Sequence, residues 1–182
     1  MSATTTALPT GTWNVDPTHS RVGFRVKHLG ISTVRGHFDD YEGQLVIDDE
    51  GNVTASGSVK VASIDTADSD RDTHLKAADF FDVDSHPDIT FKSTSVTAKD
   101  EDTYEITGDL TMHGVTKAIT LTAEVGGSEV DPFGNTRVGL EATGELSRSD
   151  YGMKFNMALG SGNLAVSDKI KLDLDISAVK AS

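Results

Sequence analysis

Asp65, Asp70, Arg71, Asp72, His74 and Lys76 all fall within a dozen positions of this 182-residue chain. Such a cluster could hold a hard cation, move a proton or clamp an anionic headgroup. For a cation, Asp68, Asp70 and Asp72, with Asp79 at the twelfth position, share the spacing of an EF-hand calcium loop. Thr73 stands where that loop needs glycine, Asp79 replaces the bidentate glutamate, and Arg71 and Lys76 intrude. A solvated helix N-terminus, its carboxylates matched to the helix dipole, accounts for the same residues.

Proton chemistry has two further candidate sets. Asp16, His19 and Ser20 are close in sequence, and Asp72 or His74 could supply a base. There is no nucleophile elbow and no oxyanion device, and Asp16 and Ser20 serve equally well as turn residues. No catalytic residue is assigned. The six histidines (His19, His28, His37, His74, His86 and His113) show neither H-x-H nor H-E-x-x-H spacing, so no metal site is assigned, although a barrel gathers residues from separate strands. Gly160 to Ala165 fits only the loosest dinucleotide fingerprint and lacks its strand, crossover helix and acidic partner. Arg71, His74, Arg21 and Arg148 would bind an anionic headgroup if the fold brought them together; otherwise they make ordinary surface ion pairs.

The elements that must position these groups are strands. Val22, Phe24 and Val26 alternate with Arg21, Arg25 and Lys27 over Arg21 to His28, and the period of two recurs to the last strand, which carries Ile170, Leu172, Leu174 and Ile176. Ser32 to Asp49 reads as one long strand or two, with Gly36 and Gly43 as candidate bends. Between Ser63 and Phe91 the alternation stops. Asp68 or Ser69 can cap a helix there, with Leu75, Ala78 and Phe81 at helical spacing and Pro87 to end it. Gly126 to Asn135 reads as a loop, and Ser149 to Ser167 is a long connection of the kind often tied to function. The expected fold is all-β: a single antiparallel barrel of about eight strands with one short helix at its mouth. Residues 1–11 read as a flexible tail and 12–182 as the domain.

A barrel of that size is either filled by side chains or holds one small ligand. Small residues on the inward faces (Ala55, Gly57, Gly108, Ala123, Ala142 and Gly144) leave room along the axis, or else allow the strands to bend at barrel corners. The apolar run from Tyr151 to Leu159 favours a cavity with an apolar rim.

Composition narrows the function classes. A net charge of −13 disfavours nucleic acid and docking on an anionic membrane. The absence of cysteine excludes disulfides and thiolate metal sites. No apolar run approaches the ~20 residues of a membrane helix. The N-terminus, M-S-A-T-T-T-A-L-P-T, has no basic n-region and no apolar h-region, so a cytoplasmic location is expected.

An ordered series of motifs resembles the YceI-like family of polyisoprenoid-binding proteins. It comprises W-N-V-D-P-T-H-S-R-V-G-F-R-V-K-H (Trp13 to His28), V-R-G-H-F (Val34 to Phe38), S-I-D-T and R-D-T-H-L (Ser63 to Leu75), D-F-F-D-V and H-P-D-I-T-F (Asp79 to Phe91), G-D-L-T-M-H-G-V-T-K (Gly108 to Lys117) and S-R-S-D-Y-G-M (Ser147 to Met153). The resemblance implies a lipocalin-like barrel around a tunnel for an isoprenoid or similar lipid, with that lipid as its ligand and no other cofactor, and it allows a homodimer. It places Val22, Phe24 and Val26 on the tunnel; the inward faces add Phe38, Val59, Phe91, Leu110, Leu121, Leu140 and Leu172. It places His19, Asp65, Arg71, His74 and Arg148 near the mouth. Many members of the family are exported, and this chain departs from them in showing no export signal. Tyr151 stands where phenylalanine is common. The expected function is binding, carriage or storage of a long-chain lipid without stable membrane insertion. The alternatives are an enzyme on a lipid-like substrate using His19, Asp72 or His74, and a ligand-free interaction protein with a filled barrel.

Overall fold

The computed structural model describes residues 8–161 and 164–181. Its strands are β1 (Gly11–Val15), β2 (Arg21–His28), β3 (Ser32–Phe38), β4 (Tyr41–Ile47), β5 (Val53–Lys60), β6 (Ile64–Asp65), β7 (Asp88–Ala98), β8 (Thr103–Met112), β9 (Val115–Val130), β10 (Thr136–Ser147) and β11 (Val166–Lys180). All of them pair antiparallel, and they close into a ring of eight strand positions. Three positions are shared by two strands each. β1 and β2 both pair with β11, at Ala178–Lys180 and Val166–Asp175 respectively. β4 and β3 then pair with β1 and β2, and β6 continues the position of β5 by pairing with His37 and Phe38 of β3. The expected eight-stranded antiparallel barrel is therefore the observed one.

Sequence chemistry explains where strands break. At Asp16-Pro17 the Asp16 carboxylate accepts from the Thr18 N–H at 3.0 Å, which turns the chain into a short 3-10 helix between β1 and β2. Of the two readings for Ser32 to Asp49, the pair of strands is observed, divided at Asp39-Asp40, while Gly36 and Gly43 remain in regular pairing and are not bends. Gly36 is needed for another reason. The Phe24 ring lies flat against it, and a Cβ there would collide with the ring. The Gly126–Asn135 loop is shorter than expected, because β9 runs on to Val130. Gly127 pairs with Gly139 and Val125 with Leu140, so Gly126 is the extra residue of a β-bulge.

One end of the barrel is closed by a cluster of Trp13, Ile47, Val138 and Ala178, with Leu8, Leu45, Val53, Val125 and Ile176 packed against it. Trp13 is 0% exposed, and its indole N–H donates to the Pro9 carbonyl at 3.1 Å. The flexible tail expected over residues 1–11 is thus corrected at its inner end: Leu8 packs on the core and Gly11 starts β1, while residues 1–7 lie outside the described residues.

Beside this floor, Arg137 bridges two carboxylates, with Nη1 at 2.8 Å from Asp16 and Nε at 2.7 Å from Asp131. Those bonds, with the backbone N–H groups around Asp131, hold both carboxyls well below the usual range. A folded-state pKa below the unfolded one adds stability that is present above the unfolded value of about 4 and is lost as pH falls through the folded one. The melting temperature should therefore fall from pH 5 toward pH 2, and Arg137→Met should lower it at pH 6 while flattening the acid slope. Equal acid slopes for the two proteins would show that this network does not carry the effect.

Candidate functional site

Between the floor and the mouth the barrel encloses a cavity of about 300 Å³. The period of two turns one side chain in two toward it, and those residues are chiefly valine, leucine, isoleucine and phenylalanine. Val22, Phe24, Val26, Phe38, Val59, Phe91, Leu110, Leu121, Leu140 and Leu172 all line it, as do Ala55, Gly57 and Ala142. Phe24 and Phe91 lie over Gly36 and Gly108. Of the small residues expected to leave room, Gly108 therefore serves as the bed for an aromatic ring instead of enlarging the void, as Gly36 does for Phe24.

Two segments cover the mouth. The first, residues 61–87, contains α1 (Ser69–Lys76), capped by the Asp68 carboxylate on the Arg71 N–H at 3.0 Å. The helix ends at Ala77, well before Pro87. The chain then turns inward so that Phe80 and Phe81, with Leu75 of the helix, line the cavity. Burial of those two rings ends the helix where its propensity would have continued it. The helical stretch is a lid.

The second cover is the connection between β10 and β11. Arg148, only 4% exposed, staples its two ends: Nη1 donates to the Met153 carbonyl at 2.8 Å, Nε to Ser167 at 3.0 Å and Nη2 to Val166 at 3.2 Å. Burial pushes this guanidinium below its ordinary value, against the pull of Asp168. Three hydrogen bonds leave two of its five N–H groups for another acceptor. The side chain lines the cavity and lies 5.9 Å from the Phe80 ring centroid. The two covers meet in an aromatic seam, where His74 and Phe80 stand edge-on to Phe155 at 5.0 and 5.2 Å. The Tyr151 hydroxyl is buried with no hydrogen-bond partner among the described residues, which is consistent with phenylalanine suiting this position. The loosely matched fingerprint at Gly160 to Ala165 includes residues 162 and 163, which lie outside the described residues.

The five residues expected at the mouth separate. His19 is not there. Its strand break is level with Ser177, near the barrel floor, where His19 Nδ1 meets Asp16 at 2.9 Å. Arg21, on the same side, does not join the others. Asp65 accepts from the Ala67 N–H at 2.8 Å, and Arg71 is held by the Thr66 hydroxyl and carbonyl at 2.8 and 2.6 Å. The Asp65 bond closes a local turn after β6, and Arg71 braces the helix against Thr66. Asp72 does the same by accepting from the Thr66 N–H and hydroxyl. His74 is at the seam, bonded to Asp79 at 2.9 Å. Of the five, Arg148 alone lines the cavity. Asp68, Asp72 and Asp79 of the calcium-like run thus have separate structural partners, and His19 with Asp16 lies apart from Asp72 and His74. One histidine does gather acids: His37 Nε2 lies 3.0 Å from Asp39 and 3.8 Å from Asp65 on the β3 edge.

Sequence reasoning missed Phe80 and Phe81 as lining residues, while Met153 falls in the apolar run expected at the rim. The motif D-F-F-D-V carried the signal, since paired phenylalanines in a stretch otherwise rich in aspartate have to be buried.

A family profile for the YceI-like domain matches residues 13–178. The YceI protein of Shigella flexneri is 41% identical over 145 residues, spanning 79% of this chain and 75% of its own length. The crystal structure of the Campylobacter jejuni YceI protein superposes with a TM-score of 0.72 at 32% identity, covering 86% of this chain and 90% of that one. A polyisoprenoid binding domain from Saccharophagus degradans shares the fold with a TM-score of 0.68 at 18% identity, covering 93% and 98%.

Proposed function

The chain belongs to the YceI-like family, and from that premise we propose that its barrel is a non-enzymatic carrier or store for an isoprenoid or similar long-chain lipid. The observation that carries this reading is the apolar cavity under two lids. From Ile176 to Val166, both on its lining, β11 runs about 20 Å along the axis at the usual strand rise and tilt, allowing for the irregularity between Val166 and Ile170. That length suits a single extended chain, prenyl or acyl. Each buried methylene contributes about 0.8 kcal/mol, and an isoprene unit therefore several kcal/mol before ordering costs. Few polar contacts are then needed. The polar head belongs at the mouth, where Arg148 has two N–H groups to offer; a quinone or a prenyl phosphate suits that donor.

Native mass spectrometry of freshly purified protein, followed by solvent extraction, tests the proposal. A discrete adduct that extracts as a prenyl or other long-chain lipid is expected. A bare mass that stays bare after incubation with isoprenoid and acyl lipids would overturn it.

A further inference from the structure

The net charge of −13 hides a strong asymmetry. Residues 21–38 and 151–172 hold seven of the sixteen Lys and Arg residues but, in Asp168, one of the twenty-nine Asp and Glu residues. The fold puts these segments side by side: β2 lies between β3 and β11, and the Leu29 N–H donates to the Ala165 carbonyl at 2.9 Å. On the outer face, Arg25 stands directly opposite both Lys171 and Arg35. Like charges opposite one another destabilise a sheet, a cost offset in part by Glu145, which stands opposite Lys171 on its other side. Arg25 also pairs with Asp173 and Lys169 with Glu145, but these are exposed pairs of small worth. Lys27, Arg35, Lys154 and Lys171 have no ion pair among the described residues.

The tip of the same side is apolar. Ile31 in the β2–β3 turn is 81% exposed, and Met157 and Leu164 in the adjoining connection are 62% and 54% exposed. Ala158 and Leu164 form an antiparallel bridge, which brings Met157 and Leu164 close together. The other lid is the opposite in charge: residues 63–88 carry eight aspartates against Arg71 and Lys76.

We propose that this side of the mouth docks on an anionic bilayer surface, the apolar tip entering the headgroup layer and the basic row lying on the lipid phosphates. The occupant follows from charge complementarity combined with apolar tips, the pairing that holds peripheral proteins at an interface. A bilayer so placed repels the acidic lid while holding the Tyr151–Ala165 side, which loads the seam between His74, Phe80 and Phe155. The whole-chain charge suggested the reverse, because attraction to a surface is set within a Debye length by the charges that face it. The purpose of docking rests on the proposed lipid binding; its measurement does not.

Delipidated full-length protein is sedimented with vesicles of phosphatidylcholine alone and of phosphatidylcholine mixed with phosphatidylglycerol. Binding is expected only to the mixture, weakening with added salt. Lys27→Glu/Lys171→Glu should lower it by at least about tenfold, and Ile31→Ser/Met157→Ser should lower it as well. Lys92→Glu/Lys99→Glu, which changes the net charge equally on other walls, should leave it unchanged. Melting curves check that each variant is folded. No binding to the mixed vesicles, or equal losses from both lysine pairs, would overturn the proposal. Protein that retains lipid but ignores vesicles rejects docking alone; protein that docks but never holds lipid rejects the carrier function alone.

Discussion

Phe24→Asp is expected to abolish lipid retention while leaving a soluble, folded barrel. Phe24 lines the cavity, packs at 5.7 Å from the Phe38 ring and covers Gly36, so its ring forms part of the wall against which a lipid tail would lie. A carboxylate at that position either ionises and draws water into the cavity or stays neutral at the expense of a raised pKa. In both cases a buried tail meets a polar group with no partner, a penalty of roughly 2–4 kcal/mol. That corresponds to a loss of at least about 30-fold in affinity. Phe24→Leu removes the ring but keeps the apolar surface, and should retain lipid. The measurement is the adduct fraction in native mass spectra of the two variants purified in parallel. Trp13, the only tryptophan, lies at the opposite end of the barrel, so an unchanged emission maximum reports an intact floor. Full retention by Phe24→Asp would remove the cavity as the lipid site.

How much of this was readable beforehand differs by residue, and the reason is physical. The alternation of Arg21 to His28 is a local signal, and β2 has those bounds. The inward faces follow from the same period, which is why the ten residues expected on a tunnel all line the cavity. The mouth was less legible because its residues come from segments with no period. Asp65, Arg71 and Asp72 resemble a binding cluster in sequence, yet Thr66 lies among them and uses two of their side chains to anchor the helix. His19 shares a motif with the wall of β2, but a strand break carries it to the floor. Arg148 was legible as a residue near the mouth; its part in tying Met153 to Val166 and Ser167 depends on a loop closure that the sequence does not express.

The charge asymmetry was also present in the sequence and went unread, for a related reason. Arg25, Lys171 and Arg35 are scattered along the chain and become neighbours only when β11, β2 and β3 pair in their observed register. Register turns three separate cations into one row. The acidic lid, by contrast, is continuous in sequence.

Trp13→Ala should be the most destabilising single truncation at the floor, without removing any residue that lines the cavity. The indole is fully buried among Ile47, Val138 and Ala178, and its N–H is satisfied by Pro9. Removing it leaves a void that strand-anchored neighbours cannot fill and strands the Pro9 carbonyl, so the cost is about 3–5 kcal/mol. Against a total stability of roughly 5–15 kcal/mol, that threatens the fold at physiological temperature. The melting temperature should drop by roughly 6–20 °C in a domain of this size. Circular dichroism is the suitable probe, since the variant has no tryptophan. Trp13→Phe should recover most of the loss, because one ring of the indole returns; the volume of its second ring and the N–H bond to Pro9 are still missing. Bound lipid stabilises the folded state by mass action, so the comparison belongs on delipidated protein; on loaded protein both midpoints rise together. A drop of less than about 1 kcal/mol for Trp13→Ala, with cooperative unfolding retained, would mean that the floor is not held by this side chain. The closed end would then rest on the β1–β11 and β1–β4 hydrogen bonds that seal the ring.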